Sequence, residues 1–264
     1  MKLAVIGDPV EHSASPALFR KFFEGAGVAG SYEAVRVSAG DGARAIAELR
    51  AQGYRGLNVT TPLKEEALAA CDRVVDPEAS IVDSANVLLF QDDGIHGFNT
   101  DAGGALDVVA EILGVEEIRE SPALLKGTRI LVLGVGPTAR AVMWKLVRCG
   151  ADVSVWNRTA DRARSTALQY KVGLWEGEAV DVIFSTLPPD GELDDRLTRA
   201  ARSAPTVIDA NYGPRATLAG RLGRDVIDGM SMLRHSALES FRLFSIPRAE
   251  RFESSIAQVR LLWT

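Results

Sequence analysis

An apolar run at residues 129–133, the turn Gly134-Val135-Gly136-Pro137-Thr138-Ala139 and a helical pattern over 139–146 follow one another without a gap. Nothing else in the chain constrains the fold as tightly. A G-x-G-x-x-A turn between strand and helix lets the backbone pass close to a pyrophosphate, and the helix N-terminus offers it N–H groups. Tight strand–helix turns also occur without a ligand, so the next strand decides. It spans 151–156 and ends in Asn157-Arg158. An acid there would hydrogen-bond a ribose diol and repel a 2′-phosphate, whereas an arginine attracts the phosphate. The stretch therefore predicts a Rossmann-type unit that binds NADP in preference to NAD.

Length and charge narrow the rest. A chain of 264 residues suits one large domain or two of ordinary size. Lys and Arg number 30 against 35 Asp and Glu, and both signs are mixed along the chain. That leaves no polybasic tail or stripe, and no nucleic-acid partner is expected. The N-terminal run Leu3-Ala4-Val5-Ile6 is too short for a signal peptide and reads as a first strand. No run approaches transmembrane length, so no membrane partner is expected. Cys71 and Cys149 cannot make a disulfide framework and read as reduced thiols in a cytoplasmic protein.

Strand and helix patterns alternate from the start. Strands are expected at 3–7, 32–37 and 56–60, with helices at 16–24, 42–51 and 62–70. A hairpin follows, 86–90 and 95–98 around Asp92-Asp93-Gly94, joining an otherwise parallel sheet. A helix at 105–113 leads into the dinucleotide unit, whose later strands read at 180–185, 206–210 and 225–227. Two helical patterns, 232–244 and 248–262, end the chain around Pro247. The expectation is α/β with two domains. Residues 1–101, completed by C-terminal helices within 232–264, form the first, and 102–231 form the dinucleotide-binding second. A substrate would meet a nicotinamide in the cleft between them.

Three polar segments fall where chemistry is expected. In His12-Ser13-Ala14-Ser15-Pro16, Pro16 suits the first helical position and Ser15 the N-cap. The same two hydroxyls beside helix N–H groups also suit a carboxylate. In Asn58-Val59-Thr60-Thr61-Pro62-Leu63-Lys64, a helix starting at Pro62 puts Lys64 in its first turn. The macrodipole disfavours a lysine there and favours Glu65 and Glu66. Lys64 is either a surface lysine paired with a glutamate or a proton-transfer group. In Asn99-Thr100-Asp101, Thr100 or Asp101 caps the next helix, or Asp101 faces Lys64. Asn86 opens a strand although Asn is a poor strand former, which points to a side-chain role. His96 and His235 lack partners at ligand spacing, and no metal is expected.

These motifs, together with Gly7-Asp8-Pro9-Val10-Glu11-His12-Ser13-Ala14-Ser15-Pro16, Asn157-Arg158-Thr159 and Asp228-Gly229-Met230-Ser231-Met232-Leu233, resemble shikimate dehydrogenases over nearly the whole chain. The resemblance implies reversible, NADPH-dependent reduction of 3-dehydroshikimate to shikimate, and a monomer or homodimer is expected. It implies that Ser13 and Ser15 bind the substrate carboxylate and that Thr60, Asn86 and Asp101 bind ring hydroxyls. Lys64 would transfer the proton, paired with Asp101. Gly134, Gly136, Pro137, Thr138 and Ala139 would shape the pyrophosphate turn, and Asn157, Arg158, Thr159 and Arg162 would surround the 2′-phosphate. Thr186, Ala210, Gly229 and Met232 would complete the cofactor site, with Tyr212 toward the substrate.

The sequence departs from the family pattern in three places. Pro137 stands where the turn usually has glycine, and it lacks an N–H donor. Ser185-Thr186-Leu187 replaces the usual Asn-Ala-Thr. Ser236 stands where the first C-terminal helix usually carries a substrate-binding glutamine. A paralogue acting on quinate or aminoshikimate, and an inert NADP-binding regulatory module, are the alternatives.

Overall fold

The run Leu3–Ile6 is buried throughout, as a strand covered on both faces requires. In this computed structural model, which describes residues 1–115 and 121–245, that run forms β1 (Lys2–Gly7). There follow α1 (Ser15–Ala26), β2 (Ser31–Arg36), α2 (Gly42–Ala51), β3 (Gly56–Val59), α3 (Lys64–Ala69), β4 (Arg73–Val74), α4 (Pro77–Ile81), β5 (Val87–Gln91) and β6 (Gly94–Phe98). They build a six-stranded sheet in the order β2-β1-β3-β5-β6-β4. β1 pairs parallel with β2 and β3, while the hairpin β5–β6 joins antiparallel to β3.

The second sheet begins beyond α5 (Asp101–Ile112). Its elements are β7 (Arg129–Leu133), α6 (Pro137–Arg148), β8 (Asp152–Trp156), α7 (Ala160–Tyr170), β9 (Gly173–Leu174), β10 (Val182–Ser185), α8 (Asp195–Ser203), β11 (Thr206–Asp209) and α9 (Leu218–Leu222). All its pairings are parallel, in the order β11-β10-β7-β8-β9. The chain leaves β7 toward β8 on one side and returns on the other at β10. That reversal is the switch point at which open α/β sheets bind ligands. Val109 of α5 and Val142 and Leu146 of α6 are fully buried in one cluster with Val132 of β7.

The chain ends, as far as it is described, in α10 (Met230–Ser245). Met1–Thr100 and the described residues Ser236–Ser245 make one compact unit, and Asp101–His235 makes the other. Within the first, Phe241 and Phe244 of α10 pack on Leu3, Phe19 and Phe23. The Phe23 and Phe241 rings meet edge to face at 5.7 Å. Burying one such side chain is worth about 1.5–3 kcal/mol, so this layer fixes the second half of α10 onto the first sheet.

The structure differs from the sequence expectations locally. Ser15 is not a cap: Ala14 holds that position without a side-chain bond, and Ser15 is the buried first residue of α1. The third helix opens at Lys64 rather than Pro62. Residues 225–227 are no strand, only one parallel bridge from Ile227 to Ile208. α5 begins at Asp101, ahead of the expected 105, and takes in Gly103 and the buried Gly104 despite glycine's poor helix propensity, which hid this turn from the pattern. The expected helix at 248–262 lies outside the described residues.

Candidate active site

In the first unit, the loops leaving β1 and β3 are tied together by the backbone. Thr60 N–H donates to Ile6 O at 2.9 Å and Asp8 N–H to Thr61 O at 3.0 Å. The Asp8 carboxylate accepts from Arg36 Nε at 2.9 Å and Ser38 Oγ at 3.0 Å, which steadies the loop bearing Ser13. Ser13 Oγ accepts from the Ser15 N–H at 3.3 Å, so these two residues are one local unit. Thr60 is half-buried at the end of β3.

Lys64 is 6% exposed, which overturns the surface-lysine reading. Its neighbour Glu66 is engaged elsewhere, accepting from Gly40 N–H at 2.8 Å and Gly42 N–H at 2.9 Å at the start of α2. A buried ammonium at a helix start opposes both burial and the macrodipole. Breaches of local rules of this kind concentrate at functional sites. Asp101, the first residue of α5, is also buried.

Asn86, Thr100 and Ser236, far apart in sequence, form one buried cluster. Asn86 Oδ1 accepts from the Thr100 N–H at 2.8 Å, and Asn86 Nδ2 donates to Thr100 Oγ1 at 3.1 Å. Thr100 Oγ1 lies 2.8 Å from Ser236 Oγ. Two further residues to which the sequence assigned no role complete it: Ser240, 3.3 Å from Thr100 Oγ1, and Asn58, whose Nδ2 donates to Ser240 Oγ at 2.9 Å. Asp76, also unexpected, caps α4 through Glu78 N–H and accepts Asn99 N–H, both at 2.9 Å. That fixes the chain just ahead of Thr100.

The second unit carries the dinucleotide turn. Gly134 sits at φ 107°, a conformation costly for residues with a Cβ. A Cβ there would also meet Thr186 Oγ1 at 2.5 Å; that hydroxyl donates to Leu133 O at 2.9 Å. Gly136 is the N-cap of α6, extended and without a side-chain cap bond. Pro137 opens α6, a position where its missing N–H costs the helix nothing. Thr138 follows it in the first turn, and Ala139 is fully buried against the core beneath.

Asn157 Nδ2 donates to Thr159 O at 3.2 Å, shaping the bend after β8. Arg158, Thr159 and Arg162 are exposed there, and neither arginine has an ion-pair partner among the described residues. Arg164, by contrast, is held by Asp161 at 2.8 Å. An uncapped helix end with two unpaired arginines beyond the next strand fits a dinucleotide carrying a 2′-phosphate.

Across the switch point, Gly229 donates its N–H to Asn211 O at 2.9 Å and packs on Ala210. Met232 is buried in the same core cluster as Val135 and Ala139 of the turn. Tyr212 is half-buried just before the short 3₁₀ turn Gly213–Arg215. Asn211 Nδ2, another contact the sequence did not announce, donates to Leu187 O at 2.8 Å and to Asp209 Oδ1 at 2.7 Å. Burial pushes the Asp209 carboxyl up from its usual range, while the bonds from Asn211 pull the other way.

Among the described residues no group of three or more His, Cys, Asp or Glu could hold a metal ion. His235 instead has Asp107 Oδ2 3.4 Å from Nδ1 and Glu111 Oε2 3.5 Å from Nε2. The bond to Asp107 chiefly raises its pKa, burial opposing and Glu111 adding. A raised histidine pKa stabilises the fold below about pH 6.5, and that gain is lost as pH rises through the folded-state value. His235→Gln is therefore expected to lower the melting temperature at about pH 5.5 and to leave it nearly unchanged at about pH 9. Equal losses at both pH values would show that the protonated form contributes nothing.

A parallel sheet with an uncapped glycine turn at its switch point, and a second α/β unit holding a buried lysine, define a nicotinamide-dinucleotide-dependent oxidoreductase. Residues 5–88 match the shikimate dehydrogenase substrate binding domain, and residues 129–212 match the NADP oxidoreductase coenzyme F420-dependent family. The chain is 33% identical to the shikimate dehydrogenase (NADP(+)) of Methanosarcina mazei, over 91% of each protein. It is 36% identical to that of Acidiphilium cryptum, over 90% of this chain and 87% of the relative. The shikimate 5-dehydrogenase of Thermus thermophilus, solved with NADP(H) and shikimate, superposes with a TM-score of 0.78 at 32% identity, covering 93% of each chain. The chain belongs to the shikimate dehydrogenase family.

Proposed function

We propose that this protein catalyses the reversible, NADPH-dependent reduction of 3-dehydroshikimate to shikimate, a step toward chorismate and the aromatic amino acids. The observation that carries the reading is Lys64, buried at the start of α3 in the unit that matches the substrate binding domain. Ser13 and Ser15 hold the substrate carboxylate, and Thr60, Asn86, Ser236 and Tyr212 take the ring substituents. In oxidation Lys64 Nζ takes the proton from the hydroxyl at C3, and Asp101 steadies the charge that develops on it. In reduction Lys64 returns that proton to the ketone oxygen. Gly134, Gly136, Thr138 and Ala139 hold the pyrophosphate, with Arg158, Arg162, Asn157 and Thr159 around the 2′-phosphate. The nicotinamide, when bound, accepts or supplies the hydride. Thr186, Ala210 and Gly229 wall its side of the site, backed by Met232.

We place the enzyme in the cytoplasm as a monomer or homodimer; no described helix is long and apolar enough to cross a membrane. The test is absorbance in the NADPH band on mixing protein, NADP and shikimate, with quinate in a parallel cuvette. A rise with shikimate is expected. A rise with quinate alone would move the assignment to the polyol acid, and no rise with either would remove it.

A further inference from the structure

The polar cluster around Ser236 has a hydrogen count that limits what it can offer a ligand. Ser240 donates its single hydroxyl proton to Ser236 O at 2.8 Å, so its oxygen can only accept. It accepts from Asn58 Nδ2 at 2.9 Å, and Tyr32 OH orients that amide by donating to Asn58 Oδ1 at 2.8 Å. Thr100 Oγ1 is 3.3 Å from Ser240 Oγ, and in this contact Thr100 must be the donor. Thr100 Oγ1 is also 2.8 Å from Ser236 Oγ, where either group can donate. Its remaining acceptor, Asn86 Oδ1, is farthest at 3.4 Å and already takes the Thr100 N–H.

The proton arrangements of this cluster divide by whether Thr100 donates to Ser236 or away from it. In one, Thr100 donates to Ser236, and the Ser236 proton is left for a ligand. In the other, Thr100 donates to Ser240, Ser236 donates to Thr100, and Ser236 turns a lone pair outward. Ser240 is the nearer acceptor for that Thr100 proton, at 3.3 Å against 3.4 Å for Asn86 Oδ1. Ser240 is fully buried, whereas Ser236 keeps a little exposure.

We propose that Ser240 is a positioning residue that lets Ser236 accept a hydrogen bond from a ring hydroxyl of the substrate, and so selects a hydroxyl over a group that only accepts. This rests on the reading that the first unit binds shikimate. The Lys64 side chain carries several N–H donors, and Ala85 N–H to Lys64 O at 3.1 Å ties its backbone to the residue ahead of Asn86. A ring hydroxyl that accepts from such donors still has its own proton to place. The carboxylate and the C3 oxygen have no such proton once bound by Ser13, Ser15 and Lys64.

The test is Ser240→Ala, assayed with shikimate and with analogues carrying fluorine in place of the C4 or the C5 hydroxyl. Fluorine accepts weakly and cannot donate. The variant is expected to raise KM for shikimate about three- to tenfold, as for loss of one neutral hydrogen bond. Its kcat and its NADPH dissociation constant should match the parent. For one of the two fluoro analogues, parent and variant should bind equally, since the lost contact is already missing. Thr100→Val, which breaks the same relay without touching α10, should reproduce the pattern if Ser240→Ala does not fold. A rise in KM that is equal for all three ligands, or no rise at all, overturns the proposal while the assigned reaction stands. A parent that neither binds nor oxidises shikimate overturns both.

Discussion

Lys64→Ala lowers kcat by about 10²-fold or more, the usual scale for removing a positioned acid–base group. The fold change should fall on kcat rather than on cofactor binding, because the residues assigned to the dinucleotide lie in Asp101–His235 and Lys64 does not. NADPH titrated by its fluorescence should bind parent and variant alike. A melting temperature that stays near the parent's while kcat collapses is the expected pattern for a residue kept for its chemistry. That combination separates a chemical role from a structural one, in which stability and rate decline together. A variant with kcat within about twofold of the parent would leave Lys64 without its assigned task.

Arg158→Asp reverses cofactor preference. An exposed guanidinium with no ion-pair partner of its own among the described residues is free to meet a 2′-phosphate, and a charge-assisted bond of this kind is worth about 1.5–3 kcal/mol. Its loss alone costs about tenfold or more in NADP affinity. The aspartate then repels the phosphate and accepts from the ribose diol of NAD, so the ratio of kcat/KM values should shift further than either effect alone. Arg162, in the first turn of α7, should soften the loss, and Arg158→Asp/Arg162→Ala should show the larger change. Equal efficiency with both cofactors in the unmodified protein would exclude any such role for Arg158.

The sequence showed those parts of the fold whose signal is local. The run at Leu3–Ile6 is a strand buried on both faces, and the second helix has the bounds its pattern predicts, Gly42–Ala51. α7 and α8 escaped because their inward faces are thin: Ala163, Thr166, Ala167 and Tyr170 in one, Leu197 and Ala201 in the other. Small or polar inward residues leave little periodic apolar signal, and neighbouring elements decide the outcome. The same holds at the site. Lys64 stood out through its conflict with the helix start. Ser240 and Asn58 did not, since they meet across 182 residues and each alone looks like an ordinary polar side chain.

α10 has a consequence for how the protein is made. Its first residues complete one folding unit and its last complete the other. A ribosome therefore delivers Leu3, Phe19 and Phe23 early but their covering rings Phe241 and Phe244 only after the whole of Asp101–His235 has been synthesised. The inserted unit is contiguous and can close first, while the unit that begins the chain waits with an apolar face uncovered. During that interval the nascent protein presents a surface that chaperones shield and that aggregation exploits.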